Sequence, residues 1–232
     1  MGSLTEISLF SGYGGFGLGL RLAGIWARTV CYVEFDKYCQ QLIQTRIRDG
    51  FLADAPIWDD AKTFDGRPWA GQVDIVTAGF PCQPHSVAGQ RRGAIDERNL
   101  WPDTRRIIGE VGPPWVLLEN VPGILVPVSE GTGYAGTVVG QLSEIGYDAV
   151  WHLAPTAAVG APHLRWRWWC LATNTRRICE YTKQQVCEPQ CSRQALVGQD
   201  GQNGHVAHAT GAGRPPRARK EQLGGCGAVA YS

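Results

Sequence analysis

The sequence predicts an α/β fold with a mostly parallel sheet. Three observations carry that reading. Short apolar or β-branched runs alternate with segments of helical periodicity, a glycine-rich turn directly follows the first apolar run, and the alternation persists to about residue 173. Strands and helices alternating in this way fold most simply as parallel strands joined by crossover helices on the faces of one sheet.

The elements follow in order. Ile7 to Phe10 is a short apolar run ending in Ser11-Gly12-Tyr13-Gly14-Gly15-Phe16-Gly17. Thr29 to Val33 is β-branched and strand-like. Asp36 can cap a helix whose apolar face is Cys39, Leu42, Ile43 and Ile47, the i, i+3, i+4 spacing. Val73 to Ala78 has the character of a buried strand. Pro102 suits the first turn of a helix carrying Ile107, Ile108 and Val111. Val116 to Leu118 is another strand. Val138, Val139, Leu142 and Ile145 form one helical face, stopped by Gly146. Tyr147 to Leu153 and Leu164 to Ala172 complete the strand-like set. From about Asn174 no 2.0 or 3.6 period survives, and Gly, Gln, Arg and Pro dominate. Three short similar segments, Leu171-Ala172-Thr173-Asn174-Thr175, Val206-Ala207-His208-Ala209-Thr210 and Val229-Ala230-Tyr231-Ser232, lie in or beside this tail.

Hydrophobic residues make up 44% of the chain and charged residues 19%, enough for a globular core. No stretch approaches the ~20 apolar residues that span a bilayer, and the N-terminus lacks a basic segment followed by an apolar run. The expected setting is intracellular, with the eight cysteines as free thiols. A net charge of +1 gives no pointer to nucleic acid, although a local basic patch would suffice to bind it.

Gly12-x-Gly14-x-x-Gly17 after a strand and before a helix lets backbone approach a ligand, with the helix N-terminus offering free N–H groups. Glu34, ending the second strand, can accept hydrogen bonds from both hydroxyls of a ribose. These features indicate a nucleoside cofactor without saying which, and a nicotinamide dinucleotide fits the glycines equally well. A tight turn with no ligand is the plainer alternative.

A second constellation narrows the choice. The Val73–Ala78 strand runs into Gly79-Phe80-Pro81-Cys82-Gln83-Pro84-His85-Ser86. A cysteine at the end of a central strand, stiffened by prolines on both sides, is placed where α/β folds bind their ligands. A lone cysteine is otherwise more often a small core residue. The next strand ends in Leu118-Glu119-Asn120-Val121-Pro122, and a carboxylate following an apolar strand is costly to bury without a task or partner.

Together these segments resemble the cytosine-5 DNA methyltransferases of the compact bacterial and phage type. The resemblance rests on Leu9-Phe10-Ser11-Gly12-Tyr13-Gly14-Gly15, Glu34-Phe35-Asp36, Asp59-Asp60-Ala61, Pro81-Cys82-Gln83 followed by Ser86-Val87-Ala88-Gly89, Asp96-Glu97-Arg98-Asn99-Leu100-Trp101-Pro102, Glu119-Asn120-Val121, and His163-Leu164-Arg165-Trp166-Arg167. They run in family order over residues 6 to 172.

The resemblance implies a Rossmann-like class I S-adenosylmethionine-dependent methyltransferase sheet, with helices on both faces and an irregular C-terminal tail. It implies a catalytic domain over residues 1–173, followed at 174–232 by a flexible or incomplete tail or the start of a target-recognition region. It implies double-stranded DNA as partner and S-adenosylmethionine as methyl donor, in the cytoplasm of a bacterium or phage-infected host, with no metal and no membrane. Cys82 would add to cytosine C6, Glu119 would hold the N3/N4 edge, and Arg165 and Arg167 would support them. Phe10, Gly12, Gly14, Glu34, Phe35, Asp60, Pro81 and Leu100 would hold the cofactor. Gln83, Ser86, Gln90, Arg91 and Asn120 would meet the DNA.

Arg165 and Arg167, two apart on a strand, are expected to face one side, with Trp166 and Trp168 on the other. His163 stands where the family usually has Gln, and His85 where Phe is common. The family's target-recognition domain and closing Gly-Asn-x-Val helix have no counterpart in the tail. Two other readings follow: a partner-dependent or inactive fragment that binds cofactor or DNA only and awaits a C-terminal segment or partner chain, and a tRNA cytosine methyltransferase with the same motifs. Cys179, Cys187, Cys191 and Cys226 match no common zinc spacing.

Overall fold

The structure, a computed structural model, describes residues 3–81, 99–127, 133–175 and 177. Seven strands form one sheet in the order β3-β2-β1-β4-β5-β7-β6. They are β1 (Leu4–Leu9), β2 (Ala27–Val33), β3 (Ile57–Trp58), β4 (Ile75–Ala78), β5 (Trp115–Asn120), β6 (Tyr147–Pro155) and β7 (Trp166–Asn174). Strands β1 to β5 are mutually parallel, while β7 inserts antiparallel between β5 and β6. The helices are α1 (Gly15–Leu22), α2 (Lys37–Arg48), α3 (Trp101–Val111) and α4 (Tyr134–Glu144).

Strand alternation assigns the two faces. One carries Ile7 and Leu9 of β1, Cys31 and Val33 of β2, Val76 and Ala78 of β4, Val116 and Leu118 of β5, and Cys170 and Ala172 of β7. These pack with Ile107, Ile108 and Val111 of α3 and Val138 and Leu142 of α4 into one core. The opposite face carries Glu6 of β1 under α1, where Gly17 allows close approach: a Cβ there would lie 3.1 Å from Glu6 Oε2. The third glycine of the sequence pattern thus serves helix–sheet packing.

Local signals account for the helix ends. Asp36 caps α2, its Oδ1 accepting from the Cys39 N–H at 2.9 Å. Only Ile43 of the expected apolar face of α2 is fully buried. Pro102 lies in the first turn of α3, and Gly112, at φ 58°, ends it. Gly146 follows α4 at φ 89°.

Two expectations change. The β7 ladder begins at Trp166, so Arg165 lies in the approach to the strand rather than within it. Thr156 holds that approach, with its N–H donating to the Arg165 carbonyl at 3.0 Å and its hydroxyl to the His163 carbonyl at 2.7 Å. Of the two tryptophans expected on the other face, Trp168 is fully buried and Trp166 is exposed. The two-residue strand β3 was not foreseen, since two residues carry no period.

The α1 face is covered unevenly. Helix α1 lies over β1 and β2, but Val150 on β6 is 70% exposed, and its cross-strand partner Leu171 and nearby Trp169 are also exposed. Among the described residues, no helix is long and apolar enough to cross a membrane.

Candidate active site

Because β1 to β5 run parallel, their C-terminal ends meet along one edge, and the chain crosses in opposite directions from β1 and β4. Open α/β sheets bind ligands at such a switch point. The turn after β1 holds a non-glycine residue, Phe10, in the left-handed region at φ 53°, followed by Gly12 at 55° and Gly14 at 81°. Strain of this kind concentrates at ligand sites. Ser11 steadies the turn, its hydroxyl donating to the Ser8 carbonyl at 2.7 Å.

Glu34, at the end of β2, is nearly buried and joins two loops. Its Oε2 accepts from the Gly12 N–H at 2.7 Å and its Oε1 from the Asp36 N–H at 2.8 Å. The side-chain amide of Gln40 donates to the Glu34 carbonyl at 2.6 Å. A carboxylate has about four acceptor directions, so two backbone bonds leave capacity for ligand hydroxyls. Phe35, next in sequence, is 73% exposed and presents a flat aromatic surface beside this carboxylate. A Cβ on Gly12 would meet nothing within 4 Å, so the turn borders open space there. This combination of exposed backbone, acceptor carboxylate and aromatic face suits a nucleoside.

Asp60 follows β3 on the same edge. Its Oδ1 accepts from the Lys62 N–H at 2.9 Å, and its carbonyl accepts from the Thr63 and Phe64 N–H groups at 3.1 Å each. Leu100 is the residue from which α3 starts.

At the end of β5, Arg167 Nε lies 2.7 Å from Glu119 Oε1. Burial pushes the Glu119 carboxyl up, and the positive charges of Arg167 and Arg165 pull it partly back. Gly79 makes room for this group, since a Cβ there would lie 3.3 Å from Glu119 Oε2 and 3.6 Å from the Phe16 ring. Phe16 stacks edge-on against Trp169 with centroids 5.9 Å apart, and Trp169 is the cross-strand partner of Glu119. Phe16, Gly79 and Trp169 therefore border the carboxylate although the motifs did not single them out. Gly79 reaches the carboxylate through the parallel β4–β5 pairing, and Trp169, with Phe16 against it, through the β5–β7 register.

Asn120, expected to meet DNA, has its side chain engaged within the chain. It is 3% exposed, its side-chain amide donates to the Phe80 carbonyl at 3.0 Å, and its Oδ1 accepts from the Val121 N–H at 2.8 Å. It anchors the backbone just before Pro81. Cys82, Gln83, Ser86, Gln90 and Arg91 lie outside the described residues. Among the described residues there is no group of His, Cys, Asp and Glu able to hold a metal ion.

The family model for C-5 cytosine-specific DNA methylases matches residues 4–208. The chain belongs to that family. Among curated relatives, the type II methyltransferase M.CviJI of Paramecium bursaria Chlorella virus IL3A is 34% identical over 171 residues, covering 73% of this chain and 43% of the relative. The type II methyltransferase M.NgoMIV of Neisseria gonorrhoeae is 34% identical over 166 residues, covering 69% and 49%. The crystal structure of the S. pombe Dnmt2 methyltransferase superposes with a TM-score of 0.57 at 25% identity, covering 73% of this chain and 50% of that one. The chain thus spans about half the length of the relatives it matches. Its mixed seven-stranded sheet is the class I S-adenosylmethionine methyltransferase fold.

Proposed function

We propose that this chain carries the chemistry of methyl transfer to C5 of cytosine in DNA, with Cys82 as nucleophile. The observation that carries the reading is the pairing of Glu119 with Arg167 at the end of β5, one residue before the Asn120 side chain that anchors the Phe80 carbonyl, two residues ahead of Cys82 in the sequence. A carboxyl biased toward its neutral form at one strand end, beside a cysteine loop at the next, suits covalent activation of a weakly nucleophilic base.

In this reading the target cytosine leaves the duplex stack, because Cys82 cannot reach C6 within it. The Cys82 thiolate bonds to C6 while Glu119 holds the N3/N4 edge and favours protonation at N3. Electron density moves to C5, which gains enamine character. S-adenosylmethionine, when bound, supplies the methyl group that C5 takes. Loss of the C5 proton then re-forms the C5–C6 double bond and expels Cys82. Arg165 binds the base carbonyl or helps set Cys82, and Arg167, paired with Glu119, supports that network. The cofactor would lie against Phe10, Gly12, Gly14, Glu34 and Phe35, with Asp60, Pro81 and Leu100 closing the adenine end. Gln83, Ser86, Gln90 and Arg91 would follow the DNA.

A second reading is supported by the exposed Val150, Trp169 and Leu171 on the α1 face, together with the chain's coverage of about half its relatives. In this reading transfer requires a C-terminal segment or partner chain that covers this face and supplies target recognition.

The test is transfer of a labelled methyl group from S-adenosylmethionine to mixed-sequence double-stranded DNA, with Cys82→Ala as control. Label in cytosine from the parent alone supports the first reading. Cofactor binding without transfer, restored by adding a C-terminal segment, supports the second. A Cys82→Ala chain as active as the parent overturns both.

A further inference from the structure

The turn that carries Asp60 is held by two side chains of α3, Arg106 and Glu110. Arg106, in the middle of α3, directs its guanidinium at that turn. Its Nη2 donates to the Ala61 carbonyl at 2.8 Å and its Nη1 to the Phe64 carbonyl at 2.8 Å, with the Lys62 carbonyl at 3.4 Å from Nη2. Glu110, one turn further along α3, meets Arg106 Nη1 at 3.1 Å, and Asp103 lies 3.7 Å away. Glu110 also takes hold of the turn directly, its Oε2 accepting from the Gly66 N–H at 2.8 Å. Gly66 permits that approach, since a Cβ there would sit 3.0 Å from both Glu110 Cβ and Val111 Cγ2.

Only arginine suits this task. The acceptors are spread over a turn, and a planar guanidinium offers five donors in a fixed fork. A lysine ammonium is a point charge on a flexible stem. Buried carbonyls at a turn otherwise need water or another backbone donor. Helix α3 starts at Leu100, so one rigid element carries Leu100 at its first turn and grips the Asp60 turn at its middle.

We propose that Arg106 is a positioning residue for the cofactor: with Glu110 it locks the 60–66 turn to α3 and so fixes the Asp60 carboxylate relative to Leu100, setting selectivity for the adenine amino group. This rests on the reading above that Asp60 and Leu100 close the adenine end of the pocket. Arg106 itself need not touch the cofactor. Its effect reaches the ligand through Ala61, the residue bonded to Asp60.

The test uses the full chain and two probes: S-adenosylhomocysteine and its inosine counterpart, in which a ring carbonyl replaces the adenine amino group. Binding is measured by calorimetry for the parent, Asp60→Ala, Arg106→Lys, Arg106→Met and Glu110→Gln, with folding checked by circular dichroism. The parent should prefer the adenosine compound, and Asp60→Ala should lose that preference. Arg106→Met should reduce the preference by roughly tenfold, the size of one hydrogen bond. Arg106→Lys should fall with it, since it keeps the charge and loses the fork. Glu110→Gln should show a smaller reduction. A residue that only supported the fold would lower the folded fraction and leave the ratio of the two affinities unchanged. If both Arg106 variants, or Arg106→Lys alone where Arg106→Met does not fold, keep the parental ratio while Asp60→Ala loses it, the proposal is overturned and the Asp60 reading stands. A parent that binds neither compound, or an Asp60→Ala chain with undiminished preference, overturns both.

Discussion

Arg167 Nε lies 2.7 Å from Glu119 Oε1, across a strand pair formed only because β7 inserts antiparallel beside β5. Both side chains are largely buried, yet the Glu119 carboxyl still stands above its ordinary value of 4.5 because burial outweighs the two arginines. Replacing Arg167 with Met removes a lowering influence, so the carboxyl should rise further. If protonated Glu119 serves the reaction, the alkaline limb of the rate profile should move to higher pH in Arg167→Met. The maximal rate should fall by about 10²-fold, the scale of a lost acid–base contribution. A pH profile of methyl transfer, with an NMR titration of the Glu119 carboxyl, checks both parts. A limb that stays in place would separate Arg167 from the ionisation of Glu119.

Much of this site is legible in the residues. The Gly12-x-Gly14-x-x-Gly17 turn, Asp36 as helix cap, Pro102 in the first turn of α3 and Glu119 at a strand end are all short-range signals, because caps and turns use neighbouring residues. What the sequence leaves hidden depends on register. Trp169 opposite Glu119, Phe16 against Trp169, and Gly79 beneath the carboxylate come from three separate elements. The role of Asn120 is hidden for the same reason, since its partner Phe80 follows another strand, β4. Arg165 lies outside the strand because the hydrogen bonds of Thr156 hold the irregular segment, so that β7 starts two residues later than the alternation suggests.

Asn120 should behave as an anchor. Asn120→Ala leaves the Phe80 carbonyl without its donor in a buried setting, at a cost of about 1–3 kcal/mol. Asn120→Asp keeps the shape and the acceptor for the Val121 N–H but places a carboxylate against the Phe80 carbonyl, so it should be at least as damaging. Under the Cys82 reading, both variants should lower kcat far more than they raise KM for the cofactor. Thermal melts and steady-state kinetics check this together. A raised KM for DNA with unchanged kcat would return Asn120 to the DNA-contacting role first expected of it.

The two glycines of the first turn should differ in tolerance. Both have positive φ, so alanine is strained at either, by about 1 kcal/mol. At Gly12 a Cβ meets nothing within 4 Å, whereas at Gly14 it would lie 2.8 Å from Leu52 Cδ2. Gly14→Ala should therefore lower the melting temperature more than Gly12→Ala. Adding Leu52→Ala should return the clash component of the Gly14→Ala loss, corrected for the effect of Leu52→Ala alone. Gly12→Ala should instead act on ligand binding, because its methyl group points into the open space beside Glu34. Melting curves for the four variants, with cofactor titrations of the two glycine variants, measure these effects. Equal melting losses at both positions would mean that Leu52 moves aside at no cost.

Glu6 is fully buried beneath α1, its carboxylate accepting from Thr29 Oγ1 on β2 and Thr77 Oγ1 on β4 at 2.7 Å each. Burial raises its pKa, and the two threonine hydroxyls lower it only in part. The folded chain therefore holds this proton more tightly than the unfolded chain. The stability that follows is fully present below the unfolded carboxyl value, about 4.3, and is lost as pH rises through the folded value. The nearby Tyr32 hydroxyl is also raised, from 10, so it stays neutral over the range that matters. Glu6→Gln has no proton to lose and should remove this dependence. Its carbonyl can accept from one threonine and its amide can donate to the other hydroxyl oxygen. Chemical denaturation of parent and variant at pH 5, 6, 7 and 8 should show the balance moving toward the variant as pH rises. Parallel stability profiles would mean that Glu6 titrates alike in the folded and unfolded chain, and that Thr29 and Thr77 fully offset its burial.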